Sequence, residues 1–379
     1  MTTSYKYRRV VIKAGTALLT YGGSRPNLKM MATLVDQIAQ LRAAGVETLL
    51  VTSGAVAAGR HVLGVQKGAK NVPFRQVLAA IGQGRLMNAY NELFDWHEIP
   101  IAQALLTRND LGIVRQRQRK RYLNVRNTLL TLLELKVIPI INENDVVAVD
   151  ELAGEGFGDN DNLSAMVANV IDADLLVMLG VVKGLFTADP NVDPEARMLE
   201  VVDEMDEKII AMGGAPRDNK GRGGMATKLE AARLATASGI DTVIASGVEP
   251  NVLTRLAGGE RIGTLFPATS TKMESRKRWM LSSLTTECDV VVDEGAAAAI
   301  HERHRSLLPA GVQEVCGTFD RGDVIAIVDS SRRRIAAGIT NYDSADVDKI
   351  KGCRSDRIEE MIGNHYGEEI VHRNNMVLV

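Results

Sequence analysis

Cysteine is scarce. Cys288, Cys316 and Cys353 are the three in 379 residues, an odd and widely spaced set without a CxxC pair. This excludes a disulfide framework and leaves reduced, structural thiols as the expectation. Charge of one sign is lacking too: 45 Lys and Arg stand against 47 Asp and Glu. The chain has no electrostatic footprint of a dedicated nucleic-acid binder. No run approaches the ~18 apolar residues of a membrane helix, and residues 1–9 carry no apolar export core. A cytoplasmic protein is expected. The six histidines are scattered and join no cysteine cluster, so no metal-ligating set is expected. Ser53 has no visible histidine partner, which leaves hydrolase chemistry unsupported.

What is present is ordinary globular material, 45% apolar and 24% charged, in a chain long enough for two domains. Residues 9–13, 48–52, 101–106, 137–141, 175–179 and 242–245 read as short strands separated by helical segments. Residues 27–45 form such a helix, with Leu28, Met31, Leu34, Val35, Ile38 and Leu41 at helical spacing, Asn27 as its start and Gly45 as its end. The fold class is α/β, with a mainly parallel sheet covered by helices on both faces. Residues 1–266 form this domain and 267–286 a connector. Residues 287–379 form a smaller α+β module, with strands at 289–293, 323–328 and 334–340 and a helix at 295–304.

Ligands of open α/β sheets bind beyond the carboxyl ends of the strands, so strand ends are where chemistry is sought. Four stand out. The first is Lys13-Ala14-Gly15-Thr16, a glycine turn that lets amides approach a phosphate beside an ammonium. Taken alone, Lys13 reads as a strand-end lysine reaching solvent. The second is Thr52-Ser53-Gly54-Ala55, suited to an anionic group at a helix N-terminus, with Ser53 as a plain N-cap the simpler alternative. The third is a pair of blocks, residues 142–145 (NEND) and 158–162 (GDNDN), whose carboxylates and amides can hold an ammonium or orient lysines or Mg²⁺.

The fourth place is residues 221–228 (GRGGMATK), opening a helix with free amides and Lys228 on its first turn. It is not a Walker A loop, and the loop before it removes the context of a dinucleotide fingerprint. A flexible hinge is the alternative. The basic run 115–121 (RQRQRKR) reads as a solvated loop and helix start.

In this order the four places resemble the glutamate-phosphorylating branch of the amino-acid kinase family. The matching segments are VVIKAGT, VTSGAVAAGR, LLTR, YLNVRNTL, INENDVV, GDNDNLSA, GLFTADP and GGMATKLEAA, continuing through GTLF and RKRW. VDEGAAAAI, SLLPAGV and FDRGDVIAI then resemble the PUA domain, named for pseudouridine synthases and archaeosine transglycosylases, which binds RNA in many proteins.

The resemblance implies ATP-dependent phosphorylation of the γ-carboxylate of L-glutamate to L-glutamyl 5-phosphate, the opening step of proline biosynthesis, with Mg²⁺. It implies Lys13, Lys228, Asp159 and Asp161 as catalytic, and Ser53, Gly54, Asp145 and Asn160 as glutamate-binding. ATP would be held by Lys13, Gly15, Gly180, Val181, Arg222, Gly223, Gly224, Met225, Ala226, Thr227 and Lys228. It further implies proline as a feedback ligand, glutamyl-phosphate reductase as a partner, and a dimer or tetramer; the balanced charge argues against RNA. The chain departs from the family at Gly180-Val181-Val182, where relatives carry Thr/Ser-Asp, and at Ala17, Arg222 and Ala226, where small hydroxyl residues are usual.

Overall fold

The computed structural model describes residues 5–20, 23, 25–65, 71–112, 116–148, 160–190, 192–214, 224–272, 280, 284–363 and 365–379. Contacts divide the chain into two compact units, Met1–Leu111 with Arg126–Thr271, and Gly112–Val125 with Lys272–Val379.

In the first unit the apolar runs form strands β1 (Arg9–Ala14), β2 (Glu47–Val51), β3 (Ile101–Leu106), β4 (Ile138–Glu143), β5 (Leu175–Gly180), β6 (Asp241–Ser246) and β7 (Thr264–Phe266). They make one sheet in the order β3-β4-β2-β1-β5-β6-β7. Every pairing is parallel except that of β7 with β6. All six expected strands are present with slightly displaced ends. The edge strand β7 lies outside the sequence expectation, because its 3 residues are too short a run to read.

The strands are apolar on both faces because helices cover both. Val10, Ile12 and Ala14 join Leu50, Ile140, Val177 and Leu179 in one core with Met31, Leu34 and Ile38 of helix Leu28–Ala43. The alternate residues Val11, Leu49, Val51, Leu176 and Met178 are fully buried as well, where helix Asp161–Val170 packs on β1 and β5. That is the pattern of a parallel sheet enclosed by crossovers. Asn27 caps helix Leu28–Ala43 by accepting from the Met30 amide at 3.2 Å, and Gly45 follows with φ +84°. Leu28, expected on the buried face, is 56% exposed, since a first-turn residue at the helix start lies beyond the core's edge.

Helices Ala55–Leu63 and Val72–Asp95 cross unusually closely. A Cβ on Gly59 would stand 1.9 Å from the Leu78 carbonyl oxygen, and one on Gly82 would stand 1.8 Å from that of Ala55. Only glycine permits this backbone-to-backbone contact. It fixes the helix that begins directly after Gly54.

The second unit contains β8 (Leu284–Val292), β9 (Val312–Cys316), β10 (Val324–Val328), β11 (Arg334–Ile339) and β12 (Met376–Leu378) in the order β12-β11-β10-β8-β9. Its core joins Val290, Val292, Ile325 and Ile327 to Ile300, Tyr342 and Ile350. Helix Glu294–Arg303 is capped by Asp293, whose carboxylate accepts from the Ala296 amide at 2.6 Å. The helix start expected within the basic run is at Gln116, so the described part of the run is helical, and Arg115 lies outside the described residues. Arg119 pairs with Asp323 at 3.4 Å and Lys120 with Asp320 at 3.7 Å, so these charges face carboxylates of their own unit. Of the expected connector, residues 273–279 and 281–283 lie outside the described residues, while the Thr269 amide donates to the Thr236 carbonyl at 3.0 Å.

Candidate active site

The site is assembled at the carboxyl ends of β1, β2, β4 and β5, where the sheet order departs on either side of β1. Lys13 is the penultimate residue of β1, and a strand-end lysine would ordinarily reach water. Here it is wholly buried. Its Nζ lies 2.8 Å from Oδ1 of Asp161, in the first turn of helix Asp161–Val170. The other carboxylate oxygen, Oδ2, accepts from Lys228 Nζ at 2.9 Å and from Thr227 Oγ1 at 2.8 Å. Both come from the first turn of helix Met225–Ala237.

One carboxylate therefore bridges two ammonium groups from distant parts of the sequence. Burial works against a charged Asp161, but the field and hydrogen bonds of Lys13 and Lys228 outweigh it and hold the carboxyl well below the usual range. Two cations against one anion leave the cluster with surplus positive charge. That favours an anion of high charge density.

A second cluster of amides adjoins the first, because Asn160 immediately precedes Asp161. Asn160 Nδ2 donates to the Thr52 carbonyl at 2.5 Å, to Ser53 Oγ at 3.0 Å and to Asn142 Oδ1 at 2.7 Å. Asn142 Nδ2 in turn donates to Gln83 Oε1 at 2.8 Å. The ends of β2 and β4 are thus tied to the start of helix Asp161–Val170. Ser53 is not the expected N-cap. Gly54 takes that position with φ +107°, and the buried Ser53 hydroxyl is turned to Asn160 instead.

Asp145 lies on the turn after β4, half-buried. Its carboxyl is pushed up to about 7, chiefly by burial and further by Glu143, with Arg75 opposing. Between pH 3.8 and about 7 the folded chain keeps a proton that the unfolded chain releases. This group's contribution to stability therefore declines as pH rises through that window.

Gly15 donates its amide to the Leu179 carbonyl at 3.3 Å, which ties the β1 turn to β5. Gly180 ends β5 beside the Lys228 stem, since a Cβ there would lie 3.7 Å from Lys228 Cε. Val181 is 57% exposed. Gly224 is the N-cap of helix Met225–Ala237 with no side-chain cap bond, and Met225, Ala226 and Thr227 form its half-buried first turn. Asp159, Arg222 and Gly223 lie outside the described residues.

Sequence reasoning missed the residues that tie the strand ends together. Gln83 and Tyr90 lie on helix Val72–Asp95, outside every quoted motif, and the Tyr90 hydroxyl shares a 2.8 Å hydrogen bond with Thr52 Oγ1. Two polar side chains spaced by two helical turns on the face that also carries buried Leu86 were the available signal.

Comparison with known proteins agrees with this architecture. Residues 8–246 match the amino acid kinase family and residues 289–362 the PUA domain. A relative named glutamate 5-kinase from Dehalococcoides mccartyi is 51% identical over 373 residues, covering 98% of this chain and 99% of its own. Relatives of the same name from Herpetosiphon aurantiacus and Caldanaerobacter subterraneus subsp. tengcongensis are 49% and 44% identical, each over 98% of both chains.

Proposed function

The chain belongs to the amino acid kinase family and, within it, to the glutamate 5-kinases; from that premise we propose how this site moves a phosphoryl group from ATP to the side-chain carboxylate of L-glutamate. The product is L-glutamyl 5-phosphate, the first intermediate of proline biosynthesis. The observation that carries the mechanism is the buried Lys13–Asp161–Lys228 bridge.

The attacking group needs no general base, because a glutamate side chain with a pKa of about 4.3 is already ionised at neutral pH. The barrier is electrostatic: an anion must approach a polyanion. Lys13 and Lys228 neutralise charge on the transferring group. Asp161 acts as a positioning residue, restricting both ammonium groups so that little reorganisation is needed when charge shifts from nucleophile to leaving group. Gly15, Gly180, Val181 and the segment Gly224, Met225, Ala226, Thr227 and Lys228 hold the nucleotide, with the helix N-terminus at Met225 turned to its phosphates. The family likeness also assigns Arg222 and Gly223 to the nucleotide and Asp159 to orienting the charged groups. Ser53, Gly54, Asn160 and Asp145 hold the glutamate, with Asp145 paired to its ammonium.

ATP enters with Mg²⁺, which supplies further neutralisation of phosphate charge. Asp161 is committed to the lysines, so the ion would be carried largely by phosphate oxygens and water, as Mg²⁺ commonly is. Among the described residues no helix is long and apolar enough to cross a membrane; a cytoplasmic location is carried from the family likeness. Proline as feedback ligand, glutamyl-phosphate reductase as consumer of the labile acyl phosphate, and a dimer or tetramer are carried from the family likeness.

The test is direct. Purified protein with ATP and Mg²⁺ is offered a panel of amino acids, and the acyl phosphate is trapped with hydroxylamine. Glutamate should yield hydroxamate and aspartate little or none; equal turnover of the two, or none with glutamate, refutes the reading.

Asp145 gives a pH signature. Its proton must leave before it can pair with the substrate's ammonium. With the carboxyl at about 7, kcat/KM for glutamate should rise as pH increases from 6 to 8. In Asp145→Asn the acid limb should disappear and glutamate KM should increase. A flat wild-type profile together with an unchanged KM in the variant would remove Asp145 from the substrate site.

A further inference from the structure

Gln83 contributes to no motif that identifies the family, yet it terminates a hydrogen-bond relay whose polarity can be worked out link by link. The Thr52 carbonyl can only accept, so the Asn160 atom 2.5 Å away is its amide nitrogen. That nitrogen also faces Asn142 at 2.7 Å, and the Glu143 backbone amide donates to the same Asn142 atom at 3.0 Å. Two donors converging on one atom identify it as oxygen. The opposite end of the Asn142 amide is then nitrogen, and the Gln83 atom it meets at 2.8 Å is Oε1. Rotating the Gln83 amide would set nitrogen against nitrogen.

The orientation that satisfies Asn142 leaves Gln83 Nε2 at the far end with two N–H donors. That atom is buried, and among the described residues it has no partner. A buried donor without an acceptor is costly in a folded protein, and such groups are rare unless something else supplies the acceptor. Here an acceptor is available from the reaction itself.

Resting on the glutamate-kinase reading above, we propose that Gln83 is a substrate-binding residue whose side-chain amide donates to the α-carboxylate of the amino acid. Nε2 is donor-only, so its ligand must present a carbonyl or carboxylate oxygen and not an ammonium. The choice between the substrate's two carboxylates follows from position. The γ-carboxylate must reach the Lys13–Asp161–Lys228 cluster, which begins at the residue after Asn160. Gln83 lies at the opposite end of the relay, against Asn142 on β4, the strand whose following turn bears Asp145. Helix Val72–Asp95 also reaches that turn through Gln76, whose Nε2 donates to the Val146 carbonyl at 2.9 Å. A substrate whose ammonium is held at Asp145 carries its α-carboxylate on the same carbon, and so delivers it to this wall.

Gln83→Met keeps the volume but removes both the donor and the oxygen that Asn142 Nδ2 meets, whereas Gln83→Glu keeps the shape and that oxygen and opposes a carboxylate with its other one. Initial rates are measured with glutamate varied at saturating ATP, then with ATP varied at saturating glutamate. Loss of a hydrogen bond to a charged group should raise glutamate KM about 10- to 100-fold in Gln83→Met, and more in Gln83→Glu. Neither kcat nor the KM for ATP should move by more than about twofold. If Gln83→Met fails to fold, Gln83→Glu carries the test. An unchanged glutamate KM overturns the proposal, as does a tenfold fall in kcat, which would put the contact at the reacting end. Failure of the unaltered protein to phosphorylate glutamate overturns the premise instead, so the two outcomes are distinguishable.

Discussion

Lys228→Met should lower kcat by about 10²–10³-fold and change glutamate KM little, the size of effect seen when one preorganised donor to a developing charge is removed. Methionine retains most of the stem that passes beside Gly180, so the loss isolates the ammonium. Lys228 Nζ is held at 2.9 Å from Asp161 and cannot follow the substrate into a new position without breaking that bond. Such a fixed charge serves the transition state better than the bound ground state, which is why turnover and not binding should suffer. Lys13→Met should behave alike, since its ammonium grips the other oxygen of the same carboxylate. The measurement is steady-state kinetics alongside a thermal melt. A folded Lys228→Met protein with unaltered kcat would show that the ammonium does not act on the phosphoryl group.

Asp161→Asn should be the most damaging single substitution, in stability as well as in rate. Lys13, Lys228 and Asp161 are all buried, and Asp161 is the shared counter-charge of both lysines. Removing one partner of a buried ion pair typically costs about 3–5 kcal/mol, because the remaining charge stays desolvated and uncompensated. Here two charges of like sign are left facing a neutral amide. The acid response should change as well. Because the folded-state pKa of Asp161 lies below the ordinary 3.8, its stabilising contribution is complete above that value and is lost as pH falls through the folded-state pKa. Urea denaturation followed from pH 6 downward should show the wild type losing stability below about pH 4 more steeply than Asp161→Asn. If Asp161→Asn unfolds within about 1 kcal/mol of wild type, the bridge is not what holds the lysines.

The parallel sheet was legible because its strands are apolar at successive positions, as in RVVIK of β1 and LLVML of β5, which is what burial on both faces requires. Strand order was not, since nothing local to β1 says that its neighbours are β2 and β5. The same distinction governs the site. Glycine turns and Asn/Asp blocks at strand ends announce themselves within a few residues. The burial of Lys13 depends on Asp161, far along the chain, and so could only be read once the fold had brought them together. Ser53 looked like a helix cap because its sequence neighbours permit one; Gly54 supplanted it by adopting φ +107°, a conformation that favours glycine. Gln83 and Tyr90 were hidden for the opposite reason. They sit in the middle of a long helix, where a single polar residue ordinarily signifies exposure, and only the approach of β2 and β4 gives them partners.

The crossing of helices Ala55–Leu63 and Val72–Asp95 bears on how such an enzyme could diverge. Most binding walls are lined by side chains and can be reshaped by exchanging them one at a time. Here Gly82 rests against the main chain of Ala55, one residue beyond Gly54 in the Thr52-Ser53-Gly54 turn, and Gly59 rests against the main chain of Leu78. Enlarging either glycine forces the helices apart and shifts the strand-end turn with them. A descendant acquiring a longer or shorter acid as substrate could not adjust this wall by gradual substitution. The adaptable part is elsewhere, in the turn after β4, where Asp145 lies. New acid specificities in this lineage should therefore arise by remodelling that turn, while the glycine contact is kept.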